Sequence, residues 1–388
     1  MLHHVYFSPG MFGFGRMASY DYFVHLERAL SRELRASGRE VAAWVVDVPP
    51  TASIRRRAAR LAELVASTCN DEAGPVHLVG HSTGGVDVRL LASPGATLPC
   101  DDAALAWLPR LASVTTLSAP HYGTPMAAFF TTVSGQKLLY ALSALTFFGL
   151  TLGSPPLAVA SALVVALGRV DKAFGLDIHV LDRATERLLH LLDDARSREV
   201  RAYLEAIKTD QGSMVQLMPE AMDLFQGSVC DRPGVRYQCT ASMARPPSPL
   251  RWVRHLGSPW GALSMTIFAA LSELTSHVDS RYPCAASHAD VETEATLVAA
   301  FGEAPGVQVN DGVVPLRSQV HGRLVWTGYA DHLDVLGHFD GGHDAKKAGD
   351  PAAGPAHVDW LRSGAGFDEV RFREMTRAIG DGMRQATG

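Results

Sequence analysis

No excess of one sign of charge marks this sequence: 35 basic side chains stand against 40 acidic ones in 388 residues, a formal net charge of −5. A field that weak points neither to nucleic acid nor to an anionic membrane as the main partner. Cysteine is scarce, five residues (Cys69, Cys100, Cys230, Cys239, Cys284) without a CxxC pair, which argues against a disulfide scaffold or a zinc ribbon. Buried thiols are the plain expectation, although Cys230 and Cys239 could bridge in an exported protein. No internal repeat is visible. The opening residues, MLHHVYFSPG, lack the basic start and apolar run of a secretory signal and lead directly into a strand. The sequence as it stands suggests a cytoplasmic protein, unless a leader precedes it. A membrane span needs about 20 uninterrupted apolar residues. The nearest approach, KLLYALSALTFFGLTLGSPPLAVASALVVALG, is divided by GSPP, so no transmembrane segment is expected.

What is present is enough apolar material, 47% of residues, for a sizeable core. The N-terminal third alternates strand and helix patterns. HHVYFSPG, EVAAWVVDV, VHLVGHS and SVTTLSAP suggest strands, and YDYFVHLERALSRELRASG, ASIRRRAARLAELVAST and TGGVDVRLLAS the helices between them. Such an order predicts a mostly parallel sheet with helices on its faces. Runs such as VHLVG and AAWVV suit strands buried on both faces. From about 125 to 230 the alternation gives way to helical patterns, a candidate cap or fixed wall. A second helical insertion, about 245–285, follows the strand-like GVRYQCTAS. The core is therefore expected from 1–124 and 231–388, resuming at GRLVWTG and closing with the amphipathic FDEVRFREMTRAIGDGM.

Chemistry concentrates in VHLVGHSTGGVDVRLL, residues 76–91. A serine hydroxyl is a poor nucleophile unless a base takes its proton and its Oγ is presented freely. A sharp strand-to-helix turn presents it, provided that the residues two before and two after are small. Gly80 and Gly84 hold those positions around Ser82, and the helix starting at Thr83 brings backbone N–H groups beside the place where an oxyanion would form.

This G-x-S-x-G segment resembles the nucleophile elbow of α/β-hydrolases. With SAPHYGTP, VNDGVVPLRSQ (309–319) and DHLDVLG (331–337), the chain resembles the bacterial true lipases, the triacylglycerol lipases of that superfamily. The resemblance implies an α/β-hydrolase fold with a helical cap and a triad in the chain order Ser82, Asp311, His332. His338, His343 and His357 remain rivals for the base, because DHLDVLGHFDGGHD is dense in histidine. Asp311 could instead serve only the Asn-Asp-Gly turn around it. The resemblance also implies a second oxyanion donor, the backbone N–H of Met11, beside that of Thr83. Phe12 is the fallback, and Ser8-Pro9 stands where the family usually has histidine.

Several of these lipases hold a structural calcium ion with two aspartates, one just after the catalytic histidine and one upstream of the catalytic aspartate. The matching residues are Asp334 and Asp290, with the carbonyls of His338 and Gly342 as candidate donors; surface or turn roles for both aspartates are the alternative. Zinc is disfavoured because no cysteine joins the cluster. The implied reaction is carboxylic ester hydrolysis through an acyl-enzyme, on acylglycerols or other medium- and long-chain acyl esters, at a lipid–water interface. The competing expectations are a short-chain esterase, a thioesterase or acyltransferase, and a catalytically silent binding module.

Overall fold

The computed structural model describes residues 1–11, 16–17, 20–69, 74–133, 135–136, 138–140, 142–143, 186, 189–190, 194–245, 259–282, 284, 290–340, 357, 359 and 361–387. Six strands form one sheet: β1 (Leu2–Ser8), β2 (Glu40–Val45), β3 (Val76–His81), β4 (Leu111–Leu117), β5 (Arg236–Met243) and β6 (Arg323–Tyr329). Their order is β2-β1-β3-β4-β5-β6, and every neighbouring pair is parallel. A two-residue antiparallel pair, Arg16–Met17 with Tyr20–Asp21, stands apart from it.

The helices follow from sequence spacing, beginning with α1 (Val24–Ala36), which buries Leu26, Leu30 and Leu34. In α2 (Ile54–Thr68), Ile54, Ala58, Leu61, Ala62 and Val65 recur at helical spacing and are buried, while the Ser53 side chain caps the N-terminus by accepting from Arg56 N–H. The amphipathic C-terminal pattern forms α10 (Glu369–Gln385), capped by Asp368 and burying Phe372, Met375, Ile379 and Met383. Strand β3 is buried along its whole length, as its apolar run requires of a central strand. β2 is not: it lies at the sheet edge and is only half-buried. Its apolar run suggested burial on both faces, and its edge position explains the difference.

Within 125–230 the described residues hold α4 (Pro125–Phe130), α5 (Asp194–Thr209), α6 (Gly212–Gln216) and α7 (Pro219–Ser228), and no strand. Residues 144–185, most of the long apolar stretch, lie outside the described residues. The second insertion contributes α8 (Pro259–Ser276), which packs against α4 and buries Met265, Ile267, Phe268 and Leu271. No described helix is long and apolar enough to cross a membrane. All five cysteines are unpaired. Cys239 is buried on β5 while Cys230 is exposed, so the Cys230–Cys239 bridge is not formed.

The topology puts the site at one place. After β1 the chain steps outward to β2, then crosses back to β3 on the other side of β1. Such a reversal leaves a crevice beyond the carboxyl ends of β1 and β3. Ser8 is in register with Gly80, so the loop after β1 and the turn after β3 leave the sheet side by side.

Candidate active site

Ser82 sits between β3 and α3 (Thr83–Ala92) with φ 54° and ψ −127°, a left-handed conformation rare for a residue with a Cβ. Two hydrogen bonds hold the strain: Ser82 N–H donates to Leu117 O at 2.9 Å, and Gly85 N–H to Ser82 O at 2.9 Å. A Cβ on Gly80 would strike the Gly84 carbonyl, and one on Gly84 the Ser8 carbonyl. Strand, elbow and helix therefore approach this closely only with glycine at both positions.

Asp311 and His332 come together from two loops. His332 Nδ1 lies 2.8 Å from Asp311 Oδ2, with both side chains buried. The other carboxylate oxygen, Oδ1, accepts from Val313 N–H at 2.9 Å and Val314 N–H at 2.8 Å. Asp311 thus serves its own turn and orients the histidine at once, which reconciles the two expectations for it. A backbone bond from His332 N–H to Asp311 O at 2.9 Å joins the loops again. The segment after β4 braces the acid loop: Thr124 Oγ1 donates to Val313 O at 2.6 Å, and Ser318 Oγ to Gly123 O at 2.6 Å. His81, the residue before the serine, ties the elbow to the histidine loop, its ring centroid 4.6 Å from that of His332. No hydrogen bond joins Ser82 to His332 in this geometry, a bond that hydrolases often tighten only with substrate in place.

The rival histidines are engaged elsewhere. His338 is buried with its ring edge-on to His25 at 5.8 Å, and burial lowers its pKa to about 4. His357 stacks on His25 at 4.1 Å, and its Nδ1 donates to Gly337 O at 2.6 Å. His343 and Phe12 lie outside the described residues.

The loop Ser8–Met11 faces the elbow. Met11 and Thr83 are buried, and among the described residues neither backbone N–H is engaged with another acceptor. Behind this loop lies a pair that the sequence did not single out: Arg57 on α2 and Asp87 on α3, both fully buried, 2.8 Å apart. Ser8 Oγ donates to Asp87 Oδ2 at 2.9 Å, and Arg57 donates to the carbonyls of Pro9, Pro49 (3.1 Å) and Pro50 (3.0 Å). Arg57 shares the buried stripe of α2 with Ile54 and Leu61, the one signal that could have found it.

Asp290 and Asp334 have different surroundings. Asp290 is exposed and caps α9 (Val291–Phe301), accepting from Thr293 N–H at 2.8 Å. Asp334 is buried and accepts from Asp331 N–H at 2.8 Å. The carboxylates facing it are Asp331 and Asp359; burial above all, with repulsion from Asp311, raises Asp331 to about 7, and burial with repulsion from Asp331 raises Asp359 to about 8. His338 is described; Gly342 is not. Among the described residues no three histidine, cysteine or acidic side chains are grouped closely enough to hold a metal ion by themselves.

No family profile matches the chain. A triacylglycerol lipase of Vibrio cholerae is 33% identical over 119 residues, 30% of this chain and 32% of that protein, so the match spans about a third of the relative's length. Among solved structures, Staphylococcus hyicus lipase aligns at TM-score 0.50 and 16% identity, covering 99% of this chain and 96% of its own. EstA from Clostridium botulinum aligns at TM-score 0.49 and 18% identity, over 94% and 86%. The parallel sheet, its switch point, the strained serine at that point and the whole-chain likeness to the Staphylococcus hyicus lipase establish that this chain has the α/β-hydrolase fold.

Proposed function

We propose that the protein is a serine carboxylic ester hydrolase, a lipase acting on acylglycerols or other medium- and long-chain acyl esters. The observation that carries this reading is the strained Ser82 beside a buried, hydrogen-bonded Asp311–His332 pair. His332 takes the Ser82 proton as Oγ attacks the ester carbonyl, and Asp311 stabilises the resulting imidazolium. The N–H groups of Met11 and Thr83 receive the oxyanion. His332 then protonates the leaving alcohol, and water, activated by the same imidazole, releases the acid from the acyl-enzyme. The local identity to a triacylglycerol lipase of Vibrio cholerae supports the substrate class. So do the apolar residues of α4 and α8 near the acid loop, where Phe268 packs against Gly312.

A structural calcium ion at the histidine loop belongs to the same proposal. Asp334 is the buried carboxylate that would bind it, backbone carbonyls such as that of His338 and water would complete the oxygen shell, and the ion's charge would offset the repulsion that Asp331 and Asp359 exert on Asp334. Asp290, occupied as a helix cap, is the weaker donor.

Hydrolysis of p-nitrophenyl esters from acetate to palmitate, with Ser82→Ala as control, tests the reading. Turnover rising toward long chains and abolished in the variant is the expected result. Preference for acetate would indicate an esterase, and no turnover at any length would overturn the assignment.

A further inference from the structure

His81 links the serine turn to the histidine loop without belonging to the triad. Its Nε2 lies 2.8 Å from the backbone carbonyl of His332, and its Nδ1 lies 2.8 Å from the hydroxyl of Tyr22. A carbonyl oxygen only accepts, so Nε2 carries a proton. The ring is wholly buried beside a second imidazole, and burial with the nearby His332 drives its pKa well below the ordinary histidine value. It is therefore neutral, Nδ1 has a lone pair, and the Tyr22 hydroxyl must donate to it. The acceptor-only carbonyl of His332 thus sets the proton on Nε2, and the Tyr22 hydroxyl donates to Nδ1.

Packing makes the arrangement rigid. A Cβ on Gly10 would lie 2.8 Å from Ser82 Cβ, 3.2 Å from Tyr22 Oη and 3.3 Å from His81 Nδ1, so the loop after β1 fits against all three at once. The His81 and His332 rings are tilted by 52°. Tyr22 is buried against Phe23, 5.0 Å away edge-on.

We infer that His81 is a positioning residue that fixes the backbone of His332, and that Tyr22, donating to Nδ1, holds the His81 ring in the orientation in which it can do so. This rests on the hydrolase reading of the same site. Without a donor at Nε2, the carbonyl of His332 loses its anchor on the serine side. The imidazole is then held by Asp311 alone and swings relative to Ser82 Oγ. Without the Tyr22 hydroxyl, the lone pair on Nδ1 is buried with no donor and the ring is free to turn away from the His332 carbonyl.

The test compares His81→Gln, His81→Leu and Tyr22→Phe with the wild type in p-nitrophenyl butyrate hydrolysis, together with nitrogen-15 spectra of histidine-labelled protein. Glutamine keeps an N–H near the position of Nε2; leucine has similar bulk and no donor. The expected outcome is a kcat about tenfold lower in His81→Leu with KM changed less than about twofold, and His81→Gln recovering most of the loss. The spectrum of the wild type should show the His81 ring, identified by its disappearance in His81→Gln, as a neutral Nε2–H tautomer. Tyr22→Phe should keep the Nε2–H tautomer but loosen the ring, and lower kcat. Should His81→Leu fail to fold, His81→Gln and Tyr22→Phe still decide. An Nδ1–H tautomer in the wild type, a wild-type kcat in Tyr22→Phe or His81→Leu, or a glutamine variant no better than leucine would overturn the inference. A wild type that hydrolyses no ester would overturn the hydrolase reading instead, and the tautomer is read without turnover.

Discussion

Replacing Arg57 by methionine tests whether the loop carrying Met11 is held by a buried charge. Methionine fills a similar volume but removes the ion pair to Asp87 and the bonds to three carbonyls. Asp87 Oδ2 has Arg57 and Ser8 as partners and Oδ1 has none, so the variant strands a buried carboxylate. Breaking a buried pair from one side costs about 3–5 kcal/mol. An unfolding entropy of about 2.1 cal/mol/K per residue over the 388 residues amounts to roughly 0.8 kcal/mol/K, so a loss of ~4 kcal/mol lowers Tm by about 5 °C. Activity should fall as well, because the bond to Pro9 O anchors the chain two residues before the Met11 amide. Losing one oxyanion donor outright costs about a hundredfold or more in kcat, so a displaced donor should cost at least about tenfold. Adding Asp87→Leu separates the two effects. The double variant has no stranded charge and should regain at least half of the lost Tm, but Pro9 O stays unanchored and kcat stays low. Calorimetry and p-nitrophenyl butyrate kinetics read both quantities. A single variant that loses less than about 1 kcal/mol, or a double variant that regains kcat along with Tm, would refute the reasoning.

The pH dependence of stability has two opposed parts. Burial lowers His3 to about 4 and His77 to about 3, so the unfolded chain takes up protons first as the pH falls. Their contribution is present above about pH 6.5 and lost toward pH 4, and His77→Gln should flatten that fall in urea titrations at about pH 7 and pH 5. Asp331 and Asp359, raised to about 7 and 8, act in the other sense: their neutral forms contribute at low pH, and the contribution disappears as the pH rises through those values. Calcium should therefore raise Tm strongly near pH 8.5 and little near pH 5, and equal shifts at both would count against an ion among these carboxylates. Gly10→Ala should lower kcat about tenfold with a smaller change in Tm, since its Cβ presses on Ser82; unchanged kcat would show that the loop yields.

The nucleophile was legible because its strained backbone demands glycine on both sides, a requirement that local sequence cannot hide. Asp311 and His332, the proposed acid and base, were legible only as matched segments, and no periodicity in the sequence pointed to the bond that joins them. Arg57 was obscured by its neighbours: in the run Arg55-Arg56-Arg57 the first two are exposed and the third is buried. Asp87 was obscured for a related reason, since α3 is buried all round and has no polar stripe from which a charge would stand out. The half-burial of β2 depends on strand order, which is decided by crossovers between distant segments. His81 occupied the variable position of the elbow motif, where its identity looked arbitrary; only the fold brings Tyr22 and the His332 carbonyl to its two nitrogens.

Among the described strands β6 is the outermost on its side of the sheet and the last to be synthesised, and His332, the proposed general base, follows it closely. During translation the serine turn can form from the first third of the polypeptide while His332 is still on the ribosome. On the proposed reading, a nascent or misfolded chain carries an inert hydroxyl, and ester cleavage would begin only when that edge of the sheet has docked. Recovered turnover after dilution from denaturant would therefore report completion of long-range pairing, not collapse.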